Sequence, residues 1–266
     1  MFGKLMKYEL RGCMRIFLPL WGAVLALALY TGLTAGFEPK VSGFLIDLIV
    51  HILPGIALVG LSFGMFVVAL VLIIRRFYSG LLGEGGVLAF SLPVTVTEHI
   101  FSKLLTALIM TVGCVLAGML ASVLAVIVRG YGSEVQSFLQ QAGRFLAEYP
   151  KTGLLVFEFI VMLLLFACFT VLRLYSGIAV GHLFPSHRGL WSVAAVIGIG
   201  WILNFVSFGL VRLFSRGSIE ISVNTVQEAM AILPGFFGGI IVYLLVWNVL
   251  MWLLTWIILK KKLNIL

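Results

Sequence analysis

Six long apolar runs, separated by short charged breaks, organise this chain. They are Ile16–Gly36, Phe44–Ile74, Leu104–Val128, Leu154–Gly181, Leu190–Val211 and Leu233–Leu259. Each is longer than the roughly 20 residues a helix needs to cross a bilayer. None shows the period-two alternation of a barrel strand. In lipid, each segment must close its own backbone hydrogen bonds, so the pattern predicts an all-α integral membrane protein with about six transmembrane helices.

The second run would reach roughly 46 Å as a single helix, too long for an upright span. Pro54 is the expected break, because proline lacks an N–H and fits the first turn of a helix. Pro54–Ile74 alone then crosses, and Phe44–Leu53 becomes an outer or re-entrant segment. Ahead of the first run, residues 1–15 carry Lys4, Lys7, Arg11 and Arg15 at spacings of three and four. These share one helical face, which predicts an interfacial helix lying on an anionic membrane surface. Between the third and fourth runs, Val135, Phe138, Leu139, Ala142, Leu146 and Tyr149 follow helical spacing, with Ser133 and Gln136 as a capping box and Pro150 as the stop. An amphipathic surface helix is expected there. In the last such loop Ile219, Ile221 and Val223 alternate with Glu220 and Ser222, suggesting a short strand.

Composition agrees with a lipid environment: 62% of the 266 residues are hydrophobic and 11% charged, and the mean hydropathy is +1.19. The net charge of +8 does not indicate nucleic acid, because the basic residues are scattered at the ends of the runs. One side takes Lys4, Lys7, Arg11, Arg15, Arg75, Arg76, Lys103, Arg173, Arg188, Lys260, Lys261 and Lys262; the other takes Lys40, Arg129, Arg144, Lys151, Arg212 and Arg216. The twelve-to-six bias predicts cytoplasmic N and C termini. Cys13, Cys114 and Cys168 are too widely spaced for a disulfide framework or a metal cluster.

Enzyme chemistry finds no support. His51, His99, His182 and His187 form no H-E-x-x-H, and neither G-x-S-x-G nor the phosphate loop G-x-x-x-x-G-K-[ST] occurs. Three G-x-x-x-G pairs, Gly60/Gly64, Gly177/Gly181 and Gly235/Gly239, permit close helix contact, and packing within the chain is the expected use. Asp47, His51 and Glu158 are ionisable groups inside apolar runs, where an unpaired charge costs at least a few kcal/mol. Asp47 and His51 share a helix face, and with Glu158 they would line an outward vestibule; the alternative is that each reaches the headgroup region.

The stretch Arg75–Lys103 holds Phe77, Tyr78, Leu81, Leu82, Val87, Leu88, Phe90 and Leu92, an apolar content that points to burial against something. Four glycines surround Glu84, and Thr95 with Glu98 makes a capping box for the third span. With Gly83-Glu84-Gly85, Ser91-Leu92-Pro93-Val94-Thr95 and Ser102-Lys103, the chain resembles the type-2 ABC transporter permeases of bacteria. Further likeness lies in Leu5-Met6-Lys7-Tyr8-Glu9-Leu10, in Tyr175-Ser176-Gly177-Ile178-Ala179-Val180-Gly181 and in Lys260-Lys261-Lys262-Leu263-Asn264. The chain departs from the family pattern at Gly86.

That resemblance implies a permease subunit of a bacterial plasma-membrane exporter, paired with a second copy of itself or a related permease. A separate ATPase subunit would bind the ATP and Mg. Residues 75–103 would be the coupling block, with Phe77, Tyr78, Leu81 and Leu82 as apolar anchors and Glu84 as the polar contact. An amphipathic peptide is the first expectation for the cargo and a lipophilic small molecule the second. Two other classes remain open on the residues alone: a membrane scaffold without transport, and an ion-coupled carrier using Glu158 or Asp47.

Overall fold

The structure is a computed structural model that describes residues 2–35, 48–83, 95–149, 151–184, 186–214 and 226–263. Among these every regular element is helical. The main helices are α1 (Phe2–Thr34), α2 (Leu53–Phe77), α3 (Val96–Val126), α4 (Gly132–Glu148), α5 (Thr152–Gly181), α6 (Arg188–Phe214) and α7 (Val226–Leu263). All but α4 coincide with helices long and apolar enough to cross a membrane, six in number among the described residues. The protein is an all-α integral membrane protein.

Local sequence explains several boundaries. A π-helical turn, Leu48–Ile52, precedes α2, and the winding changes to α at Leu53, one residue before Pro54. Proline is tolerated there because an N–H in the first turn has no acceptor in the helix. Residues 1–15 are not a separate helix: α1 runs unbroken through Pro19. The carbonyl that Pro19 leaves without a donor belongs to Arg15, and both residues lie on the exposed side of the helix. The Thr95 box forms as expected, with the Thr95 N–H donating to Glu98 Oε2 at 2.9 Å and the Glu98 N–H reaching Thr95 Oγ1 at 3.4 Å. The Ser133 box does not form. Instead α4 starts at Gly132 directly after a π-helical turn in which Gly130 takes φ 96°. Only glycine adopts that backbone readily, and it puts Tyr131 at the N-cap of α4, so Ser133 falls inside the helix and cannot serve as its cap. The Ile219–Val223 alternation lies outside the described residues.

The described residues form two compact units, 1–73 with 105–149 and 74–104 with 150–266. In the first, Cys13, Phe17, Val24 and Ala28 of α1 meet Met65 and Ala69 of α2 and Met110, Cys114, Ala117, Ala121 and Ala125 of α3. The α3 positions recur every three or four residues and are mostly alanine, which lets backbones approach closely in lipid. Trp21 fills the notch at Gly113, where a Cβ would overlap its ring.

In the second unit α5 is the central element, packed against α7 and α6. The α5–α6 seam is a ladder: a Cβ on Gly177 would overlap Val196, and one on Gly181 would overlap the backbone of Ser192. This is the one glycine pair of the three that meets a neighbouring helix among the described residues. At Gly60, Gly64, Gly235 and Gly239 an added Cβ would meet nothing within 4 Å. On the α7 side, Ser176 Oγ lies 3.4 Å from Met251 Sδ, and Asn248 Nδ2 donates to the Leu165 carbonyl at 3.1 Å.

Candidate functional site

The residues expected to couple to an ATPase begin at the end of α2, which continues as a π-helical turn over Tyr78–Leu82. Phe77 is fully buried, its ring stacked on Tyr175 of α5, and Leu81 is buried as well. These two anchors are used within the chain's own second unit. Tyr78 is 39% exposed, its ring tilted against His182 at 5.8 Å. Leu82 is half-buried, and Glu84 lies outside the described residues. Lys103 secures this corner, donating from Nζ to the Arg76 carbonyl at 3.1 Å. Gly80 leaves room for that amine, since a Cβ there would stand 2.7 Å from Nζ.

Beside Tyr78 lies a cavity of about 380 Å³, lined by Ile74, Tyr78, Leu174, Ile178, Val193 and Ile197 among others. Its walls are the end of α2, the last turns of α5 and the first turns of α6.

The pathway candidates have different fates. Asp47 lies outside the described residues, and His51 belongs to the π-helical turn of the first unit. Glu158 is in the second unit on α5, half-buried, with Oε2 buried and unpaired among the described residues. Lys4, Lys7, Arg11 and Arg15 are all exposed along one face of α1, as their spacing requires. Among the described residues no group of three or more His, Cys, Asp or Glu gathers as a metal site would need.

Arg173 requires a correction. Counted above toward the charge bias, it lies inside α5, eight residues before Gly181 and within the run Leu154–Gly181. It therefore leaves the charge count, which becomes eleven to six with the same sense. Its guanidinium rests in the notch at Gly200 of α6, where a Cβ would come within 2.9 Å of Nη2. The pairs 173/200, 177/196 and 181/192 share one antiparallel register, so Arg173 extends the glycine ladder by one rung.

Arg173 and Glu158 are joined by a third polar group, Asn248 of α7. Its amide donates to α5 at Leu165, while its Oδ1 is buried and unpaired among the described residues. Positions 158, 165 and 173 fall within a sector of roughly 80° on α5 and are about 11 Å apart along its axis. A carboxylate, an amide oxygen and a guanidinium thus follow one another along a helix of membrane-spanning length. Each retains hydrogen-bonding capacity that hydrocarbon does not satisfy.

Compared with protein-family models, with curated proteins and with solved structures, the chain matches none.

Proposed function

We propose that the chain is the membrane-spanning permease subunit of an ATP-driven exporter, with both termini in the cytoplasm of a bacterial cell. A separate ATPase subunit supplies the energy, a second permease completes the membrane domain, and the cargo is an amphipathic peptide or another lipophilic molecule. The file of Glu158, Asn248 and Arg173 along α5 carries the transport part of this reading. Polar groups at that depth cost at least a few kcal/mol unless paired or hydrated. A scaffold has no use for three of them in sequence. The ATPase part rests on the resemblance around Gly83–Thr95, and the exposed Tyr78 supports it as a contact for a partner.

The test is purification of the full chain from its native membrane in mild detergent, then reconstitution in proteoliposomes. The expected result is a stoichiometric ATPase subunit bearing a phosphate loop, and transport that requires ATP. Transport driven by an imposed proton gradient, with no ATPase retained, would replace this reading with the ion-coupled carrier.

A further inference from the structure

The 17 residues of α4 divide into two faces. On a helical projection Val135, Phe138, Leu139, Ala142, Phe145 and Leu146 share a sector of roughly 120°. The other side carries Ser133, Gln136, Ser137, Gln140, Gln141 and Arg144. The apolar face is bare: no residue of α4 is buried, and Phe138 is 69% and Leu139 62% exposed. Among the described residues, the element α4 packs against most is the turn Ile127–Tyr131 from which it grows. A contiguous apolar surface of this kind marks a binding face.

Chain connectivity limits what can cover that face. The helix follows α3 and precedes α5, both long and apolar enough to span, so its two ends belong to the same side of the bilayer. Stood upright, α4 would lift Glu148 about 24 Å off that side, and the three residues 149–151 could reach back toward Thr152 by only about 14 Å. The apolar start of α5, residues 154–157, would then stand in water. Laid flat, α4 needs no such return, and the positive φ of Gly130 supplies the bend out of α3. Tyrosines stand at both ends, Tyr131 as N-cap and Tyr149 as C-cap, the residue type enriched where hydrocarbon meets headgroups. The Tyr149 ring lies against Phe145 of the apolar face, centroids 5.0 Å apart. Along the chain, the exposed apolar flank of α3, with Met119, Leu120 and Val123, continues through Ile127 and Tyr131 into this face.

We infer that α4 is a lipid-binding helix, lying in the interface of one leaflet with its apolar face about 5–10 Å into the boundary between headgroups and acyl chains. Three spanning helices precede it, which makes this the leaflet opposite the N terminus. The charges say how it recognises lipid. Glu134 and Glu148 stand against Arg144, with Arg129 and Lys151 just outside the helix, so they nearly cancel and apolar insertion holds the helix in place. Its occupant is a zwitterionic lipid surface. The exposed Lys4, Lys7, Arg11 and Arg15 of α1 are the contrast, a basic face suited to anionic headgroups. Anchored in this way, α4 fixes the depth at which α3 ends. The inference does not rest on the exporter reading, since a carrier or a scaffold would use the same helix.

The experiment uses the full chain in nanodiscs, with an environment-sensitive fluorescent amino acid inserted by stop-codon suppression at Leu139 on the apolar face or at Gln140 on the polar one. Both positions are exposed, so neither replacement disturbs a core. In phosphatidylcholine with brominated acyl chains, emission from position 139 should be quenched several-fold more than emission from position 140, and aqueous iodide should rank the two in the reverse order. Replacing part of the phosphatidylcholine by phosphatidylglycerol, or raising the salt, should change neither ranking. Phe138→Ser combined with Leu146→Ser, both at exposed positions of the same face, should reduce bromolipid quenching at 139 several-fold. Iodide reaching both positions equally would put the helix in water and overturn the inference. Protection of position 139 from both quenchers would mean a protein cover, a second copy or another segment, and would overturn it as well. So would bromolipid quenching that appears only with phosphatidylglycerol, which would make the contact electrostatic, or quenching that the double serine variant leaves unchanged.

Discussion

Phe77 lies flat against Tyr175, the ring centroids 4.0 Å apart and the planes inclined by 9°. This stack joins the end of α2 to α5, whereas neighbouring Tyr78 keeps 39% of its surface exposed while its ring tilts against His182 just past the end of α5. Adjacent aromatic residues in one apolar stretch therefore have different tasks. Phe77→Ala removes a fully buried ring and should cost about 3 kcal/mol of stability or more, seen as a lower melting temperature in detergent. Tyr78→Ala should leave that temperature nearly unchanged and, on the exporter reading, weaken retention of the ATPase by about 2 kcal/mol. If both variants melt early and both retain the ATPase, the whole stretch serves internal packing.

The α5–α6 ladder makes a second prediction. Gly181→Leu would drive a side chain into the Ser192 backbone, which has no flexible tip to yield. Overpacking of this kind costs about 1–3 kcal/mol or more, and thermal unfolding should register it. Gly235→Leu, where an added Cβ meets nothing within 4 Å, is the comparison and should be close to neutral. A Gly181→Leu protein as stable as the parent would show that the seam is looser than the structure has it.

What the sequence makes legible follows from the range of each interaction. Run length and the Thr95–Glu98 box depend on neighbours within a few residues, and each corresponds to an element of the structure; at Pro54 the expected break is only a change of winding, within a helix continuous over Leu48–Leu82. The Ser133–Gln136 pair has the same local chemistry, but the kink at Gly130 starts the helix at Gly132, which leaves Ser133 inside it and unable to cap. The three G-x-x-x-G pairs are indistinguishable in sequence, and among the described residues only Gly177/Gly181 faces a helix that needs the space. Arg173 was misplaced for the same reason. A charge near the end of an apolar run counts toward the charge bias until the helix opposite shows a notch at Gly200. Asn248 carried no signal at all, because its partner is a backbone carbonyl 83 residues away.

A third prediction concerns pH at the start of α3, before its apolar span. Glu98 accepts hydrogen bonds from the Thr95 backbone N–H and hydroxyl, which hold its carboxyl below the ordinary value of 4.5. A carboxylate with a lowered folded-state pKa stabilises the fold above its unfolded value, and the contribution fades as pH falls through the lowered one. Thr95→Ala should therefore reduce thermal stability at neutral pH, and the gap between variant and parent should close as the pH is taken below about 4.5. A gap that persists undiminished in acid would mean that the Thr95 hydroxyl acts without Glu98.

Glu158 offers the sharpest separation of function from stability. It enters α5 six residues after Thr152, about 9 Å along the axis, and its buried Oε2 has no partner among the described residues. A carboxylate kept there for structure alone would have acquired a donor, because burying an unpaired polar group costs about 1–3 kcal/mol. Glu158→Leu removes that penalty and should raise the melting temperature or leave it unchanged. Glu158→Gln preserves shape and removes only the charge. On the transport reading both variants should assemble normally, with transport or substrate-stimulated ATP hydrolysis changed several-fold in Gln and largely lost in Leu. A Leu variant that is more stable and transports like the parent would reduce Glu158 to a side chain reaching for the headgroups. The polar file along α5 would then begin at Asn248.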